Sequence, residues 1–257
     1  MKKTLLGLCG LGLAFSLVAC GDDVNFKDPA SVQAFLAKAD PQGVRKALEN
    51  NHIAFNANNF INYAFNSDTL MMTVFLKASF EIDAIADNGN NAVAIAANKG
   101  NMMVLNYLFN NGAKANVKNS NGEAVLDNAV MMGNADVVKL LIDQLKKEGA
   151  DPASLGTAVL IAAKTGKVDM LQVLADAGAP LENRGPDGYL PIHWTVKNGN
   201  YDAMMFLIDK KVDVNAKCDQ GYSVLDWATN EGYTRLIKAL KKAGAKNTAQ
   251  YFKDSKK

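Results

Sequence analysis

The chain has 257 residues, of which 49% are apolar and 8% aromatic, with 28 basic against 26 acidic side chains. These fractions exclude a chain disordered throughout, and the length allows one large domain or two small ones. So even a charge balance offers no basic footprint for nucleic acid.

At the N-terminus Lys2-Lys3 are followed by an uncharged, largely apolar run from Thr4 to Val18 and by small residues ahead of Cys20. A basic start, a short apolar run and a small-residue cut site describe a secretory signal over residues 1–19. The run is shorter than the roughly twenty apolar residues of a spanning helix. Leu17-Val18-Ala19-Cys20 resembles the lipobox of bacterial lipoproteins, which implies acylation of Cys20 and cleavage just before it. Two or three acyl chains there would hold the protein firmly to a membrane, whereas one holds only marginally. Loss of Lys2 and Lys3 leaves 26 basic and 26 acidic groups, so the mature chain has no formal net charge. The expected location is the periplasmic side of the bacterial envelope. Gly21 suits export to the outer membrane, the preferred reading, while Asp22 resembles an inner-membrane retention signal. Cys9 leaves with the signal and Cys20 takes lipid, so Cys218 is left as a lone thiol and no intrachain disulfide is expected.

Residues 20–30 read as the lipidated cysteine and a tether, 31–247 as the folded domain, and 248–257 as a polar tail. Asp28-Pro29 and Asp40-Pro41 each read as a helix N-cap followed by proline in the first turn. Beyond them one period organises the chain. Gly100, Gly133, Gly166, Gly199 and Gly232 stand 33 residues apart, and eight residues after each comes Leu108, Leu141, Leu174, Leu207 or Leu240. A second glycine series falls at Gly89, Gly122, Gly188 and Gly221, and a third at Gly112, Gly149, Gly178 and Gly244. The spacing predicts units of two short antiparallel helices and a turn, as in Val93 to Lys99 and Met102 to Asn110. Glycine follows each helix because the chain reverses there through positive φ. No unit buries its apolar face alone, so the units must stack.

A 33-residue unit of this kind resembles the ankyrin repeat. The best match to the family's signature is Gly188-Tyr189-Leu190-Pro191-Ile192-His193, then Gly199, then Val212-Asp213-Val214-Asn215-Ala216. The resemblance implies an all-α ankyrin-repeat solenoid of about seven helix-turn-helix repeats. Departures are visible too. The slot of His193 holds Ala94, Asp127, Leu160 and Asp226 in other repeats, and Lys211 replaces a turn glycine. The fourth repeat carries four extra residues around Gln144 to Glu148, and one hairpin is lost near Asp151-Pro152. In the last helix Arg235, Lys238, Lys241 and Lys242 supply the polar outer face that a terminal repeat needs.

No catalytic constellation, metal-ligand spacing or cofactor motif is found, so the chain is read as a non-enzyme without cofactor or metal. Asp87-Asn88-Gly89-Asn90-Asn91 faintly resembles a calcium loop but lacks the closing glutamate. His193 falls in a structural slot of the repeat, and Cys218 in an inter-repeat turn with only Lys217 beside it. The resemblance implies instead that a partner protein meets the turn tips and first helices. That register points to Tyr189 and Tyr222 at the tips, and to Met131, Met132, Lys164, Lys197 and Asn198 along the first helices. Each tyrosine either meets a partner or folds back on its own repeat. Trp194 and Trp227, also 33 apart, are expected to pack as core. The function read from all this is a monomeric, membrane-anchored scaffold that holds another envelope protein. Neutralising an incoming toxin, as an immunity protein, and supporting oxidative-stress defence stay open as alternatives.

Overall fold

The structure, a computed structural model, describes residues 24–248; the signal at 1–19, Cys20 and the tail from 249 onward lie outside the described residues. Fourteen α-helices form among the described residues, in seven consecutive pairs. They are α1 (Pro29–Leu36) with α2 (Pro41–Asn50), α3 (Ala57–Phe65) with α4 (Thr69–Lys77), and α5 (Ala92–Asn98) with α6 (Met102–Asn110). Next come α7 (Val125–Met132) with α8 (Ala135–Lys147), and α9 (Gly156–Thr165) with α10 (Val168–Asp176). The last are α11 (Pro191–Lys197) with α12 (Tyr201–Asp209), and α13 (Val224–Asn230) with α14 (Thr234–Lys242).

The described residues divide into two compact units: one comprises residues 24–55 together with Thr73–Phe80, the other Asn56–Met72 and residues 81–248. The first unit starts as its two Asp-Pro pairs require. The Asp28 carboxylate accepts from the backbone N–H groups of Ala30 and Ser31, and that of Asp40 from Gly43, so donors that a helix start leaves without partners are satisfied. Val44 and Leu48 are fully buried. Phe55, Phe75 and Phe80 close a three-ring cluster with centroids 5.1 to 5.3 Å apart, and the Arg45 guanidinium covers Phe55 while donating to the Ala78 carbonyl at 2.8 Å.

In the second unit the first helices form one row, α3 against α5, then α7, α9, α11 and α13 in turn. The second helices form another, α6 to α8, α10, α12 and α14. The five leucines in phase, Leu108, Leu141, Leu174, Leu207 and Leu240, are all fully buried, as are Ala94 and Ala96 in α5 and Ala162 and Ala163 in α9. Small residues in the first row let neighbouring helices approach, and leucines in the second fill the space behind them. Between pairs stand hairpin fingers. Two are closed by isolated antiparallel bridges, Lys118 with Ala124 and Lys217 with Ser223.

The glycines after the first helices have φ between 67° and 83°. Gly166 shows why nothing larger fits: a Cβ there would lie 2.7 Å from the Asn200 side chain, which itself donates to the carbonyls of Ala163 and Lys164. The period also runs on where glycine does not. Ser67 and Ser79, one repeat before Gly100 and Gly112, adopt φ of 62° and 61°, and Lys211, one repeat after Gly178, adopts 67°. Each such residue with a Cβ costs roughly 1–2 kcal/mol against glycine. The fourth repeat departs as its sequence indicates. Helix α8 has 13 residues where its counterparts have nine, and Pro152–Leu155 folds as a single 3₁₀ turn where a finger would stand.

Candidate partner-binding face

The first helices and the fingers present one continuous set of side chains to solvent. At its C-terminal end four aromatic rings meet. Tyr189 lies edge-on to Trp194 at 5.4 Å and to Trp227 at 5.9 Å, and Tyr222 lies edge-on to Trp227 at 5.6 Å. The tyrosines thus fold back on their own helices and on the next. Trp194 and Trp227 are not core: each is only half-buried, because Tyr189 and Tyr222 from the fingers cover it in place of a neighbouring helix. The Lys197 ammonium stands 4.8 to 5.2 Å from the centroids of Tyr189, Trp194 and Trp227, and that of Lys164 stands 4.6 Å from Trp194. Attraction to the ring faces anchors these lysines within the protein itself. Asn198 likewise spends its amide on the Lys164 carbonyl at 2.7 Å.

Beneath this cluster His193 is fully buried, its Nε2 3.2 Å from the Tyr222 carbonyl of the next finger. Burial drives its pKa down to about 4, with Arg184 adding to the shift and the bond to Tyr222 opposing it, so the ring is neutral. Its job is to tie one repeat to the following finger. Asp226, in the same slot one repeat on, is equally internal. It completes a capping box with Ser223 and accepts from the backbone N–H and hydroxyl of Thr248. Burial pushes its carboxyl up, but the bonds from Thr248 and Ser223 outweigh burial and hold it below the usual range.

Asp127 occupies that slot in the fourth repeat, and among the described residues its carboxylate has no hydrogen-bond or ion-pair partner. Its helix begins at Ala124, which has no capping side chain, and the segment after α8 has turned away as Pro152–Leu155. What remains is a groove of about 730 Å³ between α7 and α9. Asp127, Glu123, Met131, Ile161 and Lys164 line it. Met131 and Met132 are 44% and 64% exposed, the apolar break in the surface that the sequence points to. Burial, and then the charge of Glu123, raise the Asp127 carboxyl to about 6. Sequence reasoning names Asp127 only as a departure from the signature; Glu123 and Ile161 as walls of one groove need the lost finger to be seen in place.

A carboxylate that is ionised against burial and a like charge destabilises the fold. Asp127→Asn is expected to raise stability at neutral pH by about 1–2 kcal/mol, after discounting for partial solvation of the group. The gain should vanish below about pH 4, where the native carboxyl is protonated in folded and unfolded chains alike. Urea melts of the two proteins at both pH values check this.

Elsewhere the candidates are structural. Gly89 sits in a tight turn, its N–H donating to the Ala86 carbonyl, so the Asp87–Asn91 stretch is a finger tip. Cys218 is buried, 4% exposed, in the turn of its finger, its N–H donating to the Tyr222 carbonyl. Among the described residues no group of His, Cys, Asp and Glu could hold a metal ion, and no helix is long and apolar enough to cross a membrane.

Family models described as ankyrin repeats match residues 159–251 and residues 93–142, together more than half of the chain. The chain belongs to the ankyrin-repeat family. Ankyrin repeats carry the likeness to curated relatives as well. Cyclin-dependent kinase inhibitor 2A of Homo sapiens is 36% identical over 116 residues, covering 45% of this chain and 74% of that protein. An L-asparaginase of Dirofilaria immitis is 26% identical over 183 residues, covering 70% of this chain but only 30% of the relative, so the chain spans less than a third of that protein's length. Two solved ankyrin-repeat domains share the fold. One from Acinetobacter baumannii has a TM-score of 0.64 at 24% identity, covering 73% of this chain and 98% of its own. That of Bcl-3 has 0.65 at 20% identity, covering 73% and 86%.

Proposed function

We propose that this ankyrin-repeat protein is a lipid-anchored scaffold on the periplasmic side of a bacterial envelope, holding another protein against the face formed by its first helices. The observation that carries the reading is the exposed Met131-Met132 pair beside a groove whose Asp127 carboxylate has no partner among the described residues, on a surface where Lys164 and Lys197 are engaged with the rings of Tyr189, Trp194 and Trp227. Exposed apolar area of this kind marks a place where a protein binds, and methionine adapts to the shape of what it meets. The name of the kinase inhibitor among the relatives also describes action on another protein. Anchoring rests on the lipobox resemblance at Cys20 and on the holding power of multiple acyl chains.

Cell fractionation and cross-linking with capture test both halves. The native chain should pellet with membranes and bring down one dominant protein, while Cys20→Ser should stay out of the membrane fraction. Equal membrane association of the two chains would overturn the anchor, and recovery of no partner at any expression level would overturn the scaffold.

A further inference from the structure

Three polar residues, His193, Asp226 and Asp127, stand in one slot of the repeat that Ala94 and Leu160 fill elsewhere, and the structure shows what a polar group there requires on its far side. His193 meets the Tyr222 carbonyl of the next finger, and Asp226 takes two donors from Thr248 in the irregular segment that follows α14. In both cases a stretch of chain without helical structure passes the slot and supplies the partner. At Asp127 the described residues supply none, because Pro152–Leu155 folds as a 3₁₀ turn where a finger would pass. The vacated space is the groove between α7 and α9.

Resting on the scaffold reading, we infer that this groove takes an extended segment of the partner protein, which presents a lysine or arginine to Asp127 and apolar side chains to Met131 and Ile161. Charge decides the sign of the occupant. The two carboxylates of the groove, Asp127 and Glu123, are both on the side of α7, and among the described residues the only bond made by either side chain is the one that Glu123 accepts from the Asn119 amide. The groove's cations do not satisfy them. Lys164, on α9, lies over the Trp194 ring, and Lys118, in the finger, forms no ion pair with Asp127. A half-buried carboxylate with an empty place before it favours a cationic donor, and a groove walled by methionine and isoleucine favours apolar flanks. An extended chain fits because the fingers that fill this place in other repeats are extended.

Short random peptides displayed on phage and selected against the full chain, purified in detergent, test the inference. The survivors should carry a lysine or arginine between apolar residues. A synthetic peptide of the selected sequence should bind Asp127→Asn about tenfold or more weakly than the native chain. It should bind Lys139→Ala, altered on the exposed side of α8, as it binds the native chain. Asp127→Asn is expected to melt no lower than the native protein, so weakened binding is not lost folding. Binding to the native chain should strengthen from about pH 5 to about pH 7 as Asp127 ionises beside Glu123, Lys118 and Lys164, and this trend should be absent in Asp127→Asn. Selection of acidic peptides, or equal binding by Asp127→Asn, would overturn the inference. Should cross-linking still capture a partner in that event, the scaffold stands and only the groove's role falls; if capture fails too, the scaffold falls with it.

Discussion

Leu174→Ala is expected to destabilise the protein by about 3–5 kcal/mol, the largest effect of any single truncation considered, and to lower the melting temperature by roughly 10 °C or more. Leu174 is fully buried on α10, which packs on α9 within its own repeat, on α8 before it and on α12 after it. Removing three side-chain carbons therefore opens a cavity lined by three repeats, none of which relaxes without disturbing its neighbours. In a stack the stability is a sum of repeats and their interfaces. Weakening the fifth repeat should uncouple the repeats on its two sides, so a single urea transition in the native protein should broaden or split in Leu174→Ala. Unfolding monitored by circular dichroism and by Trp194 and Trp227 fluorescence checks this, since both tryptophans lie C-terminal to the lesion. Coincident transitions of unchanged steepness would show that the repeats do not share stability as the packing requires.

The second large effect concerns His193 and its opposition to Asp127. The imidazole, ordinarily titrating at 6.5, is held at about 4 in the fold, so between these values the unfolded chain takes up a proton that the folded chain refuses. Stability due to neutral His193 is complete above about pH 6.5 and is lost as pH falls toward 4, by about 2–3 kcal/mol. Asp127 works the other way. With its carboxyl raised from 3.8 to about 6, the folded chain keeps a proton that the unfolded chain gives up, and stability is lost as pH rises through the same interval. The two titrations offset each other in the native protein. His193→Gln, which keeps an amide donor for the Tyr222 carbonyl, should cost about 1–3 kcal/mol at neutral pH and leave stability rising as pH falls from about 6 to about 4. Asp127→Asn should show the reverse, a steeper loss on acidification. Urea midpoints across that interval measure both slopes, and parallel curves for the two variants would contradict the assignment.

Much of the architecture is legible in the spacing of glycines, because a left-handed turn between helices selects for the one residue without a Cβ. The five glycines from Gly100 to Gly232 all take the positive φ their period implies. The same logic hides repeats in which the turn is made by something else: Ser67 and Ser79 adopt that backbone without announcing it, whereas Lys211 is marked by the glycine series it interrupts. The longer α8 and the missing finger can be read from the four-residue offset between glycine series. Their consequence cannot, since a displaced segment leaves its mark on Asp127, two dozen residues earlier, by failing to reach it. The tryptophans mislead for a related reason. Their periodicity suggests a core position, but exposure at the first-helix row is set by what the fingers place over it, and here that is Tyr189 and Tyr222. Lys164, Lys197 and Asn198 lie on the face the register points to, yet their charges and amide are bound to rings and a carbonyl of the protein itself.

The most direct measurement is site-specific photo-cross-linking in living cells, with a photoreactive residue placed either at Met131, on the groove, or at Lys139, exposed on the opposite helix of the same repeat. The probe at position 131 is expected to capture a discrete partner protein and the probe at 139 none. Equal capture from the two positions, or capture from 139 alone, would contradict a partner held against the first-helix face.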